Sequence, residues 1–227
     1  MKKTSILFIG NSFTYFSDMP HSIFAKICDA ANVDVDVDSV TTGGYKLVDF
    51  CNPEDEFGKQ VYKAFETKKY DIVILQEQSM NAITGYDEFF DGVKKLSTMA
   101  QNNGAKVYLY STWGYKEGYE LLPLCGKSTR EMAEKMYAAY SKAALDVGAG
   151  VAPVGNAFLD VYENTPAINL YDNDLYHPAL FGSVLAAWVI FSSIFNIQAN
   201  KVNYDCNLSA EESLILKNAS DVAVFKK

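Results

Sequence analysis

His21 and His177 are the only imidazoles in this chain of 227 residues. Each closes an Asp-x-x-His run, Asp18-Met19-Pro20-His21 and Asp174-Leu175-Tyr176-His177. A carboxylate so close in sequence can orient an imidazole and favour its charged form, which is what a histidine base requires. Ser12 offers the hydroxyl that such a base would activate. It stands in Phe8-Ile9-Gly10-Asn11-Ser12-Phe13-Thr14, where a short apolar run that reads as a buried strand opens into a loop. Serine, histidine and aspartate are the parts of a hydroxyl nucleophile, its base and the base's orienter. Pro178 and the helix pattern behind it place Asp174 and His177 in a loop able to fold over a sheet rim, which favours His177. His21, near the start of a predicted helix, stays as the rival base. The plainer reading makes Ser12 a helix cap and His177 a loop histidine.

Three further segments follow predicted strands: Gly43-Gly44, Gln76-Glu77-Gln78 and Ser111-Thr112-Trp113. In a doubly wound sheet ligands bind at the carboxyl ends of the strands, so these loops and Ser12 converge on one rim. Glycine lets backbone approach a ligand and present an N–H to an oxyanion, and a side-chain amide at Gln78 supplies another donor. Asn11 tolerates unusual backbone angles and suits a sharp turn beside Ser12. Glu77 puts a carboxylate near the rim that would repel acidic substrates. Trp113, Tyr115 and Tyr119 either wall a sugar or acyl site or pack a loop against the core.

These loops need a frame. Apolar runs alternate with helix-period segments, the pattern of a parallel sheet with crossover helices. Strands are expected at 5–9, 33–40, 72–75, 106–110 and 150–153, and helices at about 19–31, 53–67, 86–102, 127–147, 178–194 and 210–220. Val33-Asp34-Val35-Asp36-Val37-Asp38 alternates strictly and reads as an edge strand, whereas Ile72-Val73-Ile74-Leu75 is uninterrupted and reads as covered on both faces. Asn52-Pro53, Ser128-Thr129-Arg130-Glu131 and Ser209-Ala210-Glu211-Glu212 read as helix starts, and Gly104 and Gly148 as helix ends. The expected architecture is a three-layer α/β/α sandwich with a flavodoxin-like doubly wound sheet of about five parallel strands. Residues 1–227 read as one domain, with 200–227 a helical extension packed on it.

Composition narrows the function. A net charge of −8 argues against nucleic acid and anionic membranes as partners. Cys28, Cys51, Cys125 and Cys206 are widely spaced, which speaks against structural zinc and favours buried free thiols. No metal and no organic cofactor are expected. The apolar stretch 179–197 is broken by Gly182, Ser183, Ser192, Ser193 and Asn196 and reads as a buried helix rather than a membrane span. Met1-Lys2-Lys3 leads at once into the first strand, so the chain reads as cytoplasmic as written, or as secreted or periplasmic if an export signal has been trimmed.

At these residues the chain resembles the SGNH (GDSL-type) hydrolase family. Gly10-Asn11-Ser12 matches its first block, Gly44 the glycine of its second, Gln78 the position of its third, and Asp174-Leu175-Tyr176-His177 its last, over residues from about 4 to 195. In detail it looks most like a bacterial branch carrying Gly-Asn-Ser-Phe-Thr and Leu-Gln-Glu-Gln-Ser, present here as Gly10 to Thr14 and Leu75 to Ser79. The resemblance implies an esterase with Ser12 as nucleophile, His177 as base and later acid, and Asp174 as orienter. It also implies an oxyanion hole made by the N–H groups of Ser12 and Gly44 and the Gln78 amide. The third block departs from the family's usual Gly-x-Asn, since Gln is a methylene longer. The implied substrate is a small acyl ester, such as an O-acetyl group on a carbohydrate. Two other readings stand beside it: a flavodoxin-like module binding phosphate or a nucleotide through Ser12 and Thr14, and a catalytically silent glycan-binding relative.

Overall fold

The computed structural model describes residues 3–226, so Met1 and Lys2 of the leader reading lie outside the described residues. Five strands, β1 (Thr4–Gly10), β2 (Val35–Thr41), β3 (Ile72–Leu75), β4 (Lys106–Tyr110) and β5 (Gly150–Ala152), form one parallel sheet in the order β2-β1-β3-β4-β5. The central strands are continuous apolar runs because helices cover both their faces. Ile6 to Ile9 are fully buried, as is nearly all of β3. The alternating segment is the edge strand β2, whose Asp36 and Asp38 bind Lys68 Nζ at 2.8 and 2.6 Å.

Helical turns α1 (Ser12–Tyr15) and α2 (Ala25–Ala30) follow β1, and a wider-wound segment, Met19–Phe24, leads into α2. Next come α3 (Glu56–Thr67), α4 (Asn81–Thr84), α5 (Tyr86–Asn103), α6 (Leu122–Cys125) and α7 (Thr129–Val147). The series ends with α8 (Val154–Asn164), α9 (Leu180–Phe195) and α10 (Ala210–Phe225). Helices α3, α5 and α7 pack side by side in one layer, and α9 packs with α2, α8 and α10 in the other. Right-handed crossovers require this split, because the winding reverses at β1, between β2 and β3. The result is a three-layer α/β/α sandwich, and α10 lies against α8 and α9.

Helix ends explain where the expected bounds shift. Asn52-Pro53 does not start α3: the Asn52 side chain accepts the Glu54 N–H in a turn, and Asp55 caps the helix through the N–H groups of Phe57 and Gly58. Ser128 caps α7, but Glu131 turns to the Lys127 N–H instead of closing a box. Ser209 and Glu212 do make the reciprocal box at α10. Gly104 and Gly148 end α5 and α7 with positive φ. Besides the single turns α1, α4 and α6, α8 is the helix absent from the expectation, since Pro153 before it offers no side-chain cap. α9 is the apolar stretch, enclosed from Gly182 to Ser192, and among the described residues no helix is long and apolar enough to cross a membrane. All four cysteines are buried and free.

Registers bring the strand ends to one level. Gly10 is opposite Thr41, Ile9 opposite Leu75, and Leu75 opposite Leu109. The loops carrying Ser12, Gly44 and Gln78 therefore leave adjacent strands side by side at the reversal of winding, where this fold binds ligands.

Candidate active site

The turn that carries Ser12 is built around a missing side chain. A Cβ on Gly10 would lie 2.6 Å from Thr14 Oγ1 and 2.7 Å from Gln76 Oε1, so only glycine lets β3 close on this loop. Gln76 fills that space. Its Oε1 accepts from the Asn11 N–H at 2.9 Å and from Thr14 Oγ1 at 2.8 Å, while its Nε2 donates to Asn11 Oδ1 at 2.9 Å. Asn11 caps α1 by accepting the Phe13 N–H, and its Nδ2 donates to Tyr45 O at 3.0 Å. Its φ of −121° is extended, so Asn11 is there for its hydrogen bonds and not for unusual backbone angles. Asn11 borders the pocket, yet both ends of its carboxamide hold loops together instead of facing a substrate. Thr14 is likewise buried, with its hydroxyl given to Gln76, which leaves the phosphate-binding reading without its second donor.

The Asp174–His177 loop is folded back as tightly. Asp172 N–H donates to His177 O at 2.8 Å, Tyr171 bridges Pro178, and Lys116 N–H donates to Leu175 O at 2.9 Å. Leu175 takes a φ of 69°, a left-handed conformation costly for a bulky residue and held by these surrounding bonds. Trp113 Nε1 donates to Tyr176 O at 3.0 Å, and its ring stacks between Phe13 at 4.5 Å and Phe158 at 4.0 Å. Trp113 is fully enclosed and Tyr115 is 1% exposed, so neither walls a substrate site. They pack the Ser12 and His177 loops onto the core, the plainer of the two expectations.

From this frame His177 Nε2 reaches Ser12 Oγ at 2.8 Å and Nδ1 reaches Asp174 Oδ2 at 2.6 Å. A neutral ring protonated on Nδ1 donates to the carboxylate and accepts the serine proton. The ring lies flat on Phe16, with centroids 4.3 Å apart and planes 6° from parallel. Asp174 Oδ1 accepts the N–H groups of Tyr176 and His177 at 3.1 and 2.9 Å. Burial pushes the Asp174 carboxyl up, but the His177 ring and these two N–H groups outweigh it and hold it below the usual aspartate value. His21 is elsewhere: its Nε2 is 2.9 Å from Ser39 Oγ on β2.

A cavity of about 390 Å³ opens over Ser12 and His177, bordered by Tyr15, Phe16, Gly44, Gln78 and Tyr176. Gly44 has a φ of +77°, with open space where a Cβ would be, so it is needed for its backbone conformation. Ser12 N–H, at the start of a helical turn, is a donor that the helix leaves unpaired. Among the described residues neither it nor the Gly44 N–H is taken by another backbone group. Gln78 Oε1 accepts from the N–H groups of Met80 and Asn81, and its Nε2 donates to Ser79 Oγ at 3.2 Å. Ser79 is held in turn by Tyr115 Oη at 2.5 Å. The Gln78 amide is thereby fixed with a second N–H hydrogen still to offer.

Glu77 departs from expectation. It is completely buried and turned away from the cavity, accepting the N–H groups of Leu47 at 3.2 Å and Gln78 at 2.6 Å. Burial pushes its carboxyl up from 4.5 to about 7, against the N–H groups of Gln78 and Leu47 and the Asn81 side chain. Between those values the folded chain keeps a proton that the unfolded chain gives up, so stability falls as pH rises through the window. Over about 2.5 pH units the loss amounts to roughly 3 kcal/mol at 1.36 kcal/mol per unit. Urea unfolding midpoints are expected to fall between about pH 5 and pH 7.5, and Glu77→Gln to remove that part of the decline. An equal decline in the variant would assign it to other groups.

Gln76, Tyr15, Phe16 and Tyr176 are site residues missed in the sequence, although all four stand in or beside the blocks that carry Ser12, Gln78 and His177. Among the described residues no cluster of three or more His, Cys, Asp or Glu is placed to hold a metal.

No family model matches the chain, and no curated protein does. Solved structures do. A DUF4886 family protein from Bacteroides uniformis superposes with a TM-score of 0.84 at 17% identity, covering 99% of this chain and 96% of its own. The acetyl xylan esterase AlAXEase does so at 0.64 and 16% identity, covering 84% of this chain and all of its own; at such identities the likeness is one of fold. A protein from Slackia heliotrinireducens, described as an SGNH hydrolase, is 31% identical over 85% of this chain and 100% of its own, with a TM-score of 0.72. Identity at that level over the whole of the relative carries descent as well as shape, and this chain belongs to the SGNH hydrolase family.

Proposed function

We propose that the protein is a serine esterase that cleaves small acyl esters through an acyl-enzyme. The observation that carries the reading is the unbroken relay from Ser12 Oγ through the His177 ring to Asp174, with contacts of 2.8 and 2.6 Å. His177 Nε2 takes the serine proton as Oγ bonds to the ester carbonyl carbon, and the carbonyl oxygen becomes an oxyanion. The N–H groups of Ser12 and Gly44 and the Gln78 amide meet that charge as it develops, where fixed donors count most. The tetrahedral intermediate collapses as the C–O bond to the alcohol breaks, with Nε2 returning the proton to the departing oxygen. Water then attacks the acyl-Ser12 by the same path in reverse and releases the carboxylic acid.

The cavity favours a small, neutral acyl group. Its volume is near the lower end for ligand clefts, and apart from His177 its borders are aromatic or uncharged. Tyr15 is 39% exposed and Tyr176 partly so, giving the alcohol side two rings on which a sugar face could lie. One fold relative is an acetyl xylan esterase, and an O-acetyl carbohydrate is the substrate class we carry to this chain.

The test joins turnover and labelling. Wild type is expected to hydrolyse p-nitrophenyl acetate and to gain one phosphonyl group at Ser12 after treatment with an ethyl p-nitrophenyl phosphonate, read by peptide mass spectrometry. A chain that binds acetylated oligosaccharide but neither turns over nor labels at Ser12 would be a silent glycan-binding relative instead.

A further inference from the structure

The oxyanion donors come from three loops, and three buried side chains fasten those loops to one another. Asn11 joins the β1 loop to the β2 loop through Tyr45 O, and Gln76 joins the β1 loop to β3. The third fastening is Glu77. One of its oxygens accepts the N–H of Gln78 at 2.6 Å, and both lie 3.2 Å from the N–H of Leu47, three residues beyond Gly44. The Asn81 side chain lies near the same carboxylate and favours its charged form, but its Nδ2 makes no hydrogen bond. Both groups that hydrogen-bond to this carboxylate are therefore backbone donors, in a place shut off from water. An ionised carboxylate satisfies both, since it only accepts. A protonated one turns an O–H against N–H groups and leaves a buried donor unpaired, which loosens the contact.

We infer that Glu77 is a positioning residue of the oxyanion hole, holding the Gly44 and Gln78 loops at the spacing the transition state needs, and that it does so only as a carboxylate. This deepens the esterase reading and rests on it. The charged and titratable groups around Glu77 are few. Lys46 on the β2 loop is paired with Glu88 of α5 at 2.6 Å, the Cys51 thiol is buried nearby, and Tyr140 of α7 accepts the Glu77 N–H at 3.1 Å. Since burial lifts Glu77 to about 7, its ionisation falls inside the working range of a histidine base. Turnover then requires two groups in their proton-free forms, the imidazole as base and Glu77 as carboxylate.

The experiment is the pH dependence of p-nitrophenyl acetate hydrolysis by wild type, Glu77→Gln and Glu77→Asp, with thermal unfolding followed by circular dichroism. The wild-type acid limb of log kcat against pH is expected to approach a slope of 2. Glu77→Gln is expected to lower kcat by about 10- to 100-fold at pH 8, less than the roughly 100- to 1000-fold that removing an oxyanion donor outright costs, with KM changed less than about threefold. Its acid limb should have a slope of 1, and Glu77→Asp should restore part of kcat. A slope of 1 in the wild type, which needs no variant to fold, overturns the inference. So does a Glu77→Gln enzyme with wild-type kcat. If either is seen while Ser12→Ala is inactive, the esterase reading stands; if wild type shows no Ser12-dependent turnover, both readings fall together.

Discussion

Replacing His177 with alanine is expected to lower kcat/KM for ester hydrolysis by about 10⁴- to 10⁶-fold, Ser12→Ala to do the same, and the double variant to lose no more than either single one. The magnitude follows from the relay. Ser12 Oγ has one imidazole within reach, at 2.8 Å, and without it a hydroxyl far from ionising at neutral pH must attack unaided. Non-additivity follows because base and nucleophile act on one bond-making step, so removing either removes the whole event. His21→Ala should remain within twofold of wild type, because that ring is engaged with Ser39 on β2. An alkyl acetate should be measured beside p-nitrophenyl acetate. The nitrophenolate departs without a proton, whereas an alkoxide needs the one His177 Nε2 carries, so His177→Ala should be the more damaging on the alkyl ester. A His177→Ala enzyme within 100-fold of wild type on both esters would remove His177 from the reaction, and a double variant far below both singles would give the two residues separate tasks.

Much of this molecule is legible in its sequence wherever one physical demand acts alone. Ile72 to Leu75 must be apolar throughout because both faces are covered, and the Asp-Val alternation of β2 marks an edge. Ser12, Asp174 and His177, which the fold brings into hydrogen-bonding reach of one another, stand out in the sequence for a similar reason, since covalent chemistry accepts few residue types. Misreadings occur where two demands compete for one residue. Asn52-Pro53 has the form of a helix start, but Asp55 caps through two N–H groups and sets α3 further on. Past the end of β3, Gln76, Glu77 and Gln78 turn to different surroundings, so two polar side chains enter the interior and one borders the cavity. Nothing in three adjacent polar residues states which is which, because the answer depends on the loops from β1 and β2 that come to meet them. Trp113 could not be resolved for the same reason: an aromatic residue after a strand is equally suited to a substrate wall and to the stack between Phe13 and Phe158 that it makes.

The second large effect is expected from Asp174→Asn, a change of one atom that should lower kcat/KM by about 10⁴-fold, as the same change does in serine proteases. The hydrogen bonds decide its sense. Asp174 Oδ1 accepts two backbone N–H groups, from Tyr176 and His177, and Oδ2 accepts from His177 Nδ1 at 2.6 Å. An asparagine keeps its oxygen toward the two N–H groups, since turning the amide over would set its NH₂ against both. The NH₂ is then left facing the imidazole. A donor there obliges Nδ1 to accept, which moves the ring proton to Nε2 and aims an N–H at Ser12 Oγ in place of a lone pair. The base is present, correctly placed and in the wrong tautomer. Asp174→Ala imposes no tautomer and should retain more activity than Asp174→Asn, despite removing more of the side chain. Nitrogen NMR of the His177 ring should find the proton on Nδ1 in wild type and on Nε2 in Asp174→Asn. If Asp174→Asn proves the milder variant, placement of the ring by the side chain at 174 outweighs selection of the tautomer, since neither variant keeps the carboxylate charge.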